Sequence, residues 1–264
     1  MSSPDALHRA RIMVMLGSIV YDRATLETLS LLAGRTSVEI LGRFVEDIEL
    51  LSLAELPIAR EYCRLTHLER RLHTPDIERQ FRVQARAARQ ALAEIAARFG
   101  SPLSFQTVRG ELPILLREAL EETDLMLFGA VRGALRMLDQ PALTHATRQS
   151  RQPVTVVYDG SDAARRALQI ALQLGQNGSS PVCVILTAMH PEDLPSLSEQ
   201  ATRLAGGSAV QLVELINPAW PEVLDRVRAQ RSSTFVIAVS AELLREENLE
   251  RLRSDLNCAI VLVK

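Results

Sequence analysis

Lysine is almost absent from this sequence. Lys264, the last residue, is the only one, and every other permanently cationic side chain is an arginine. A phosphate-binding loop of the G-x-x-x-x-G-K-[ST] type needs a lysine in its turn, and a kinase-type site needs one on a strand, so both are excluded. An internal Schiff-base lysine is excluded in the same way. Cysteine is also scarce. Cys63, Cys183 and Cys258 are odd in number and far apart, and they read as reduced, mostly buried thiols rather than a disulfide framework or a zinc site. His8, His67, His73, His145 and His190 have no metal-ligand spacing. G-x-S-x-G, H-E-x-x-H, C-x-x-C and G-x-G-x-x-G do not occur. With no base–nucleophile pair and no metal cluster to name, the sequence reads as that of a non-enzymatic protein.

A large surplus of charge of either sign is missing too. Lys and Arg number 30 against 32 Asp and Glu, a net charge of −2. A dedicated nucleic-acid binder needs a surplus of cations for its phosphate contacts, so that partner is not expected. No apolar run approaches the ~20 residues that span a bilayer. The opening MSSPDALHRAR lacks the apolar core of a secretory signal. No membrane insertion and a cytoplasmic location are the expectations that follow.

What the sequence does contain is strand and helix in alternation. Gln152 to Leu174 shows it best. Val154 to Tyr158 is a β-branched and aromatic run, and Asp159-Gly160-Ser161 breaks it. Ala164, Ala167, Leu168, Ala171, Leu172 and Leu174 then recur at helical spacing. A strand, tight turn and amphipathic helix open a βαβ unit, and the turn presents backbone N–H groups at a helix start where an anion or polar ligand can dock. The same unit stands near the N-terminus. The apolar run Ile12 to Leu16 precedes Gly17-Ser18, and Leu26, Leu29, Leu32 and Ala33 follow at helical spacing. Aligning the motifs sets Leu16 against Asp159 and Gly17 against Gly160. The sequence is therefore read as an internal duplication, with residues 1–151 and 152–264 as two tandem α/β domains.

In the first domain the patterns predict strands over 11–16, 38–45, 103–108 and 125–128, and helices over 24–33, 76–99 and 112–120. A helical stretch is expected to run to about Thr147. Gly42 reads as a bulge or a close approach. Residues 48–74 form a long leucine-rich connection, either a lid or partner surface or a short helix filling its own groove. Arg79, Arg82, Arg86 and Arg89 lie on one helix face, a solvated face or an anionic-partner site. In the second domain strands are expected over 154–158, 182–187, 210–215, 235–239 and 259–263, and helices over 194–204, 221–230 and 241–252. This makes nine strands, because no apolar run between Met137 and Val154 offers the first domain a fifth. Alternation of this kind is the mark of parallel sheets covered on both faces.

The turn VVYDGSDAARRAL, the GRFVED that ends the second strand, the LMLFGAVRG around the fourth and the closing NCAIVLVK resemble the universal stress protein family, in two tandem copies. The resemblance implies an adenine nucleotide alpha hydrolase-like, Rossmann-like fold, a doubly wound sheet in the order 3-2-1-4-5, often paired through its last strand as a dimer. It also implies a nucleotide site in some members, made by an acidic residue after strand one and a G-x-x-G run, nine residues, then G-[ST] after strand four. Here Asp159, Gly160 and Ser161 match the acidic turn of the second copy, but Ser240-Ala241-Glu242-Leu243 follows its fourth strand and no glycine remains beyond it. In the first copy Gly129 and Gly133 are spaced G-x-x-x-G, Leu143-Thr144 stands where Gly-Ser or Gly-Thr belongs, and Leu16 takes the acidic position.

Two readings of function stay open beside a slow hydrolase for which no catalytic residue can be named. One is a stress-response regulatory protein that acts through protein partners and has a degenerate nucleotide site. The other is a sensor that binds ATP or AMP, with Gly17, Ser18, Gly129 and Gly133 lining the first cleft and Asp159, Gly160 and Ser161 the second. Ser161 and Asp162 also have a simpler task available, capping the helix and complementing its dipole. The chain could pair its two domains internally or form a homodimer.

Overall fold

A computed structural model of the chain describes residues 10–17, 23–34, 38–63, 67–129 and 152–264. Its N-terminal part runs β1 (Ala10–Gly17), α1 (Arg23–Ala33), β2 (Val38–Asp47), α2 (Ile48–Glu55), β3 (Arg60–Cys63), β4 (Leu68–Arg71), α3 (Thr74–Phe99), β5 (Leu103–Gly110), α4 (Leu112–Glu122) and β6 (Leu125–Gly129). Its C-terminal part runs β7 (Val154–Tyr158), α5 (Asp162–Gly178), β8 (Val182–Ala188), α6 (Leu194–Ala205), β9 (Val210–Ile216), α7 (Trp220–Gln230), β10 (Thr234–Ala238), α8 (Glu246–Asp255) and β11 (Ala259–Val263). The helix expected to run to about Thr147 lies outside the described residues.

Nine of these strands make one sheet, in the order β5-β2-β1-β6-β11-β10-β7-β8-β9. The C-terminal five stand in the order 3-2-1-4-5, and the N-terminal four in the order 3-2-1-4. All neighbours are parallel except β6 and β11, which run antiparallel with Phe128 opposite Ile260 and Leu127 opposite Val261. The position beside β6 that a fifth N-terminal strand would take is thus filled by the last strand of the C-terminal part. Two doubly wound units meet back to back in a continuous sheet, and the pairing the sequence suggested between chains or between domains occurs within the chain.

Alternation along the strands builds a core on each face. Ile12, Val14 and Leu16 of β1 join Val154, Val156 and Tyr158 of β7 on the side of α1, α3, α5 and α6. Met13, Met15, Phe128, Phe235, Ile260 and Leu262 fill the opposite side. Each core runs unbroken across the β6–β11 seam, because each strand there supplies residues to both faces. The helices reinforce the seam. Thr28 of α1 shares a buried hydroxyl–hydroxyl hydrogen bond of 3.0 Å with Thr234 of β10, and Asn177 of α5 donates to the Leu31 carbonyl at 2.8 Å. On the other face Arg117 of α4 donates to the Leu244 carbonyl at 3.0 Å.

Helix limits follow their local chemistry. Pro75 sits in the first turn of α3, and Gly100 ends it in the left-handed region at φ 63°. The Ser161 hydroxyl caps α5 by accepting from Ala164 N at 3.1 Å. Arg79, Arg82, Arg86 and Arg89 all lie exposed on the outer face of α3. Gly42 proves to be a close approach. A Cβ there would lie 2.6 Å from Leu92 Cδ1 and 2.7 Å from Phe105 Cδ2. Gly42→Ala should therefore cost about 1–3 kcal/mol by overpacking, read as a lowered urea midpoint with an unchanged slope.

The connection over 48–74 holds more than the sequence suggested. Asp47 caps α2 by accepting from Glu49 N at 2.9 Å, and Leu51 and Ala54 are buried beneath it. A two-stranded hairpin, β3–β4, then follows. It has no apolar alternation for a period to reveal, since all four residues of β4 are exposed. Polar cross-strand contacts hold it instead: Arg70 pairs with Glu61, and the Tyr62 hydroxyl meets His67 Nδ1 at 2.7 Å. The helix expected over 241–252 starts later, at Glu246, because a turn made by Ser240 to Arg245 comes first.

Candidate functional site

In open α/β sheets ligands collect outside the carboxyl ends of the strands, where neighbouring crossovers depart to opposite faces. In the C-terminal part that place lies between β7 and β10. The structure has a crevice there of about 690 Å³. Val157, Ile237 and Val223 supply apolar wall, and Trp220 at the start of α7 stands beside them. Polar walls come from the ends of β8 and β9 and from α6: Thr187, Asn217, Ser196 and Gln200.

Asp159 and Ser161 line this crevice, and Gly160 lies between them in the chain. Their local roles are structural. Asp159 Oδ1 accepts from Ser161 N at 2.9 Å, a side-chain turn that swings the chain from β7 into α5. Gly160 turns at φ 85°, and a Cβ there would meet Leu197 Cδ2 at 2.7 Å. Left-handed strain and that contact together should make Gly160→Ala about 1–3 kcal/mol less stable, measured by thermal or urea unfolding.

On the far wall, after β10, the segment that would have to hold phosphates closes on itself. Ser240 Oγ accepts from Leu243 N at 3.1 Å. The Ser240 carbonyl takes Leu244 N and the Glu242 carbonyl takes Arg245 N. Asn248 Nδ2 donates to the same Glu242 carbonyl at 2.8 Å. A phosphate nest requires converging N–H groups left open by small residues. Here Leu243, Leu244 and Arg245 already spend theirs on this turn. Among the described residues the titratable lining of the crevice is Asp159, Asp193 and Glu242, with no arginine, lysine or histidine. None of these three carboxylates is ion-paired among the described residues.

In the N-terminal part the register corrects the alignment of the repeat. Ile12 pairs with Ile40 of β2 as Val154 pairs with Val182 of β8, and Ile12 pairs with Leu125 of β6 as Val154 pairs with Thr234 of β10. Leu16 is thus the counterpart of Tyr158, not of Asp159, and both are buried in the same core. Gly17 falls at the place of Asp159. A shift of one residue would turn every β1 side chain to the wrong face, so the core sets the register where the similarity of short motifs misled. Gly17 is exposed at the end of β1, with none of the described residues beyond its chain neighbours within 4 Å of a Cβ built there. Gly129 closes β6 opposite Ala259 of β11. Ser18 and Gly133 lie outside the described residues.

The sequence reading missed the polar wall. Tyr158 OH donates to Gln200 Oε1 at 3.2 Å, and Gln200 Nε2 donates to Ser196 Oγ at 3.1 Å. Asn217 adopts φ 44° where β9 ends. Trp220 had a signal, being the only tryptophan in the chain. The others follow from which strand ends converge, which spacing along the chain does not encode.

No family model matches the chain, and no curated protein matches it. Solved structures do. A universal stress protein from Archaeoglobus fulgidus superposes over 96% of this chain and 96% of its own, at TM-score 0.55 and 14% identity. A protein described as a universal stress protein from Pseudomonas aeruginosa does so over 97% of this chain and 94% of its own, at TM-score 0.50 and 12% identity. A universal stress protein crystallised with cAMP matches 44% of this chain and 98% of its own at TM-score 0.36, too loose a likeness to argue from. The chain has the fold of these universal stress proteins.

Proposed function

We propose that this is a stress-response regulatory protein of the universal stress protein type, built from sibling domains over 1–151 and 152–264, in which the nucleotide site has degenerated. It acts without catalysis, through contacts with protein partners, in the cytoplasm. One observation carries the reading. The turn after β10 spends the N–H groups of Leu243, Leu244 and Arg245 on itself and sets Glu242 at a crevice whose titratable lining among the described residues is completed by Asp159 and Asp193. A triphosphate brought there would meet uncompensated carboxylates where members that hold ATP offer glycine backbone. Among the described residues no helix is long and apolar enough to cross a membrane, and no group of His, Cys, Asp and Glu could hold a metal ion.

The open crevice of about 690 Å³ supports a second reading, a sensor that takes ATP or AMP. Purified protein separates the two: it is denatured and the released small molecules are identified by mass spectrometry. The degenerate site predicts no adenine nucleotide. ATP or AMP released in amounts equal to the protein would overturn it.

A further inference from the structure

A crevice that repels phosphate is not thereby empty of purpose. Its volume of about 690 Å³ lies within the ~300–1,000 Å³ common for small-molecule sites, as does its mixture of apolar wall and sparse polar groups. Trp220 lines it with Val157, Val223 and Ile237, and its indole N–H is buried with no acceptor among the described residues. Such a wall receives a flat ring. Thr187 and Asn217 also line the crevice, and their side chains make no hydrogen bond within the described residues. They can meet the hydroxyls of a small polar molecule. The carboxylates Asp159, Asp193 and Glu242 line the same space, and no cation among the described residues pairs with them.

From these features we propose that the crevice between β7 and β10 binds a nucleoside-sized, ring-bearing molecule with hydroxyl groups and no phosphate. The apolar wall and Trp220 hold the ring, Thr187 and Asn217 hold hydroxyls, and the three carboxylates reject each phosphate that a nucleotide would add. This deepens the reading of a degenerate nucleotide site and rests on it, since an intact phosphate nest would reverse the preference.

Trp220 is the chain's only tryptophan, so its emission reports occupancy of this crevice without interference. The full chain is titrated with adenosine, AMP and ATP while that emission is followed. Adenosine is expected to give a saturable change, with AMP at least about tenfold weaker and ATP weaker still, as carboxylate–phosphate repulsion requires. Raising the salt concentration should narrow the gap between adenosine and AMP by screening. Glu242 is exposed, so Glu242→Lys leaves the core untouched, and it should move the preference toward AMP by about tenfold. AMP or ATP binding as tightly as adenosine would overturn the proposal together with the degenerate-site reading. No saturable response to adenosine, AMP or ATP would overturn the proposal alone.

Discussion

Replacing Phe128 by alanine should cost about 3–5 kcal/mol and unfold the whole chain in one step, rather than only its N-terminal half. Phe128 is 2% exposed and sits on β6 directly opposite Ile260 of β11, which is 0% exposed. Both belong to the core that α4, α7 and α8 cover. Two domains joined only by a linker would leave the C-terminal strands unaffected. Here the seam strands feed both cores, so a cavity opened at Phe128 is felt by the residues around β10 and β11. The measurement is urea unfolding followed by far-UV circular dichroism and by Trp220 fluorescence. Circular dichroism reports on both halves and the tryptophan on the C-terminal one, and their transitions should coincide. Pairing the change with Ile260→Ala should show a coupling of about 0.5–3 kcal/mol, since neighbours in contact fail to add.

The second large effect concerns what β11 does without β6. All five residues of β11 are buried, and in the whole chain both of its edges are occupied, by β10 and by β6. Residues 152–264 expressed alone would present that edge and the uncovered apolar side of α5 to water, a surface that invites pairing. The fragment should therefore run as a dimer in analytical ultracentrifugation, joined antiparallel through β11, with a second copy of β11 replacing β6. Changing Val261 to lysine should return it to a monomer or prevent it from folding. A soluble, folded monomer of the unaltered fragment would show that the seam is incidental.

Much of this architecture could be read from residues. Helix α3 was legible because Pro75, Gly100 and the spacing of Ile77, Phe81, Ala85 and Ala88 agree. The run of C-terminal elements followed from the alternation of short buried strands with amphipathic helices, and their order in the sheet from the family resemblance. The β3–β4 hairpin was not legible, because charge pairs and not an apolar period hold it together. Neither was the register of the repeat. Gly17-Ser18 looks like Gly160-Ser161 in letters, and only the packing of Leu16 and Tyr158 into the same core shows that the two glycines are not equivalent. At the site, Asp159 and Ser161 were legible as the turn, and Glu242 as a carboxylate just past the fourth C-terminal strand. The crevice walls were not, since Thr187, Gln200, Asn217 and Trp220 come from four different elements and loops that only the sheet order gathers.

The degenerate site is tested most directly by calorimetric titration of the intact chain with magnesium-ATP. A turn that has spent the N–H groups of Leu243, Leu244 and Arg245, beside three carboxylates without an ion pair among the described residues, should give no saturable heat into the millimolar range. Stoichiometric binding with a sub-millimolar dissociation constant would contradict the account.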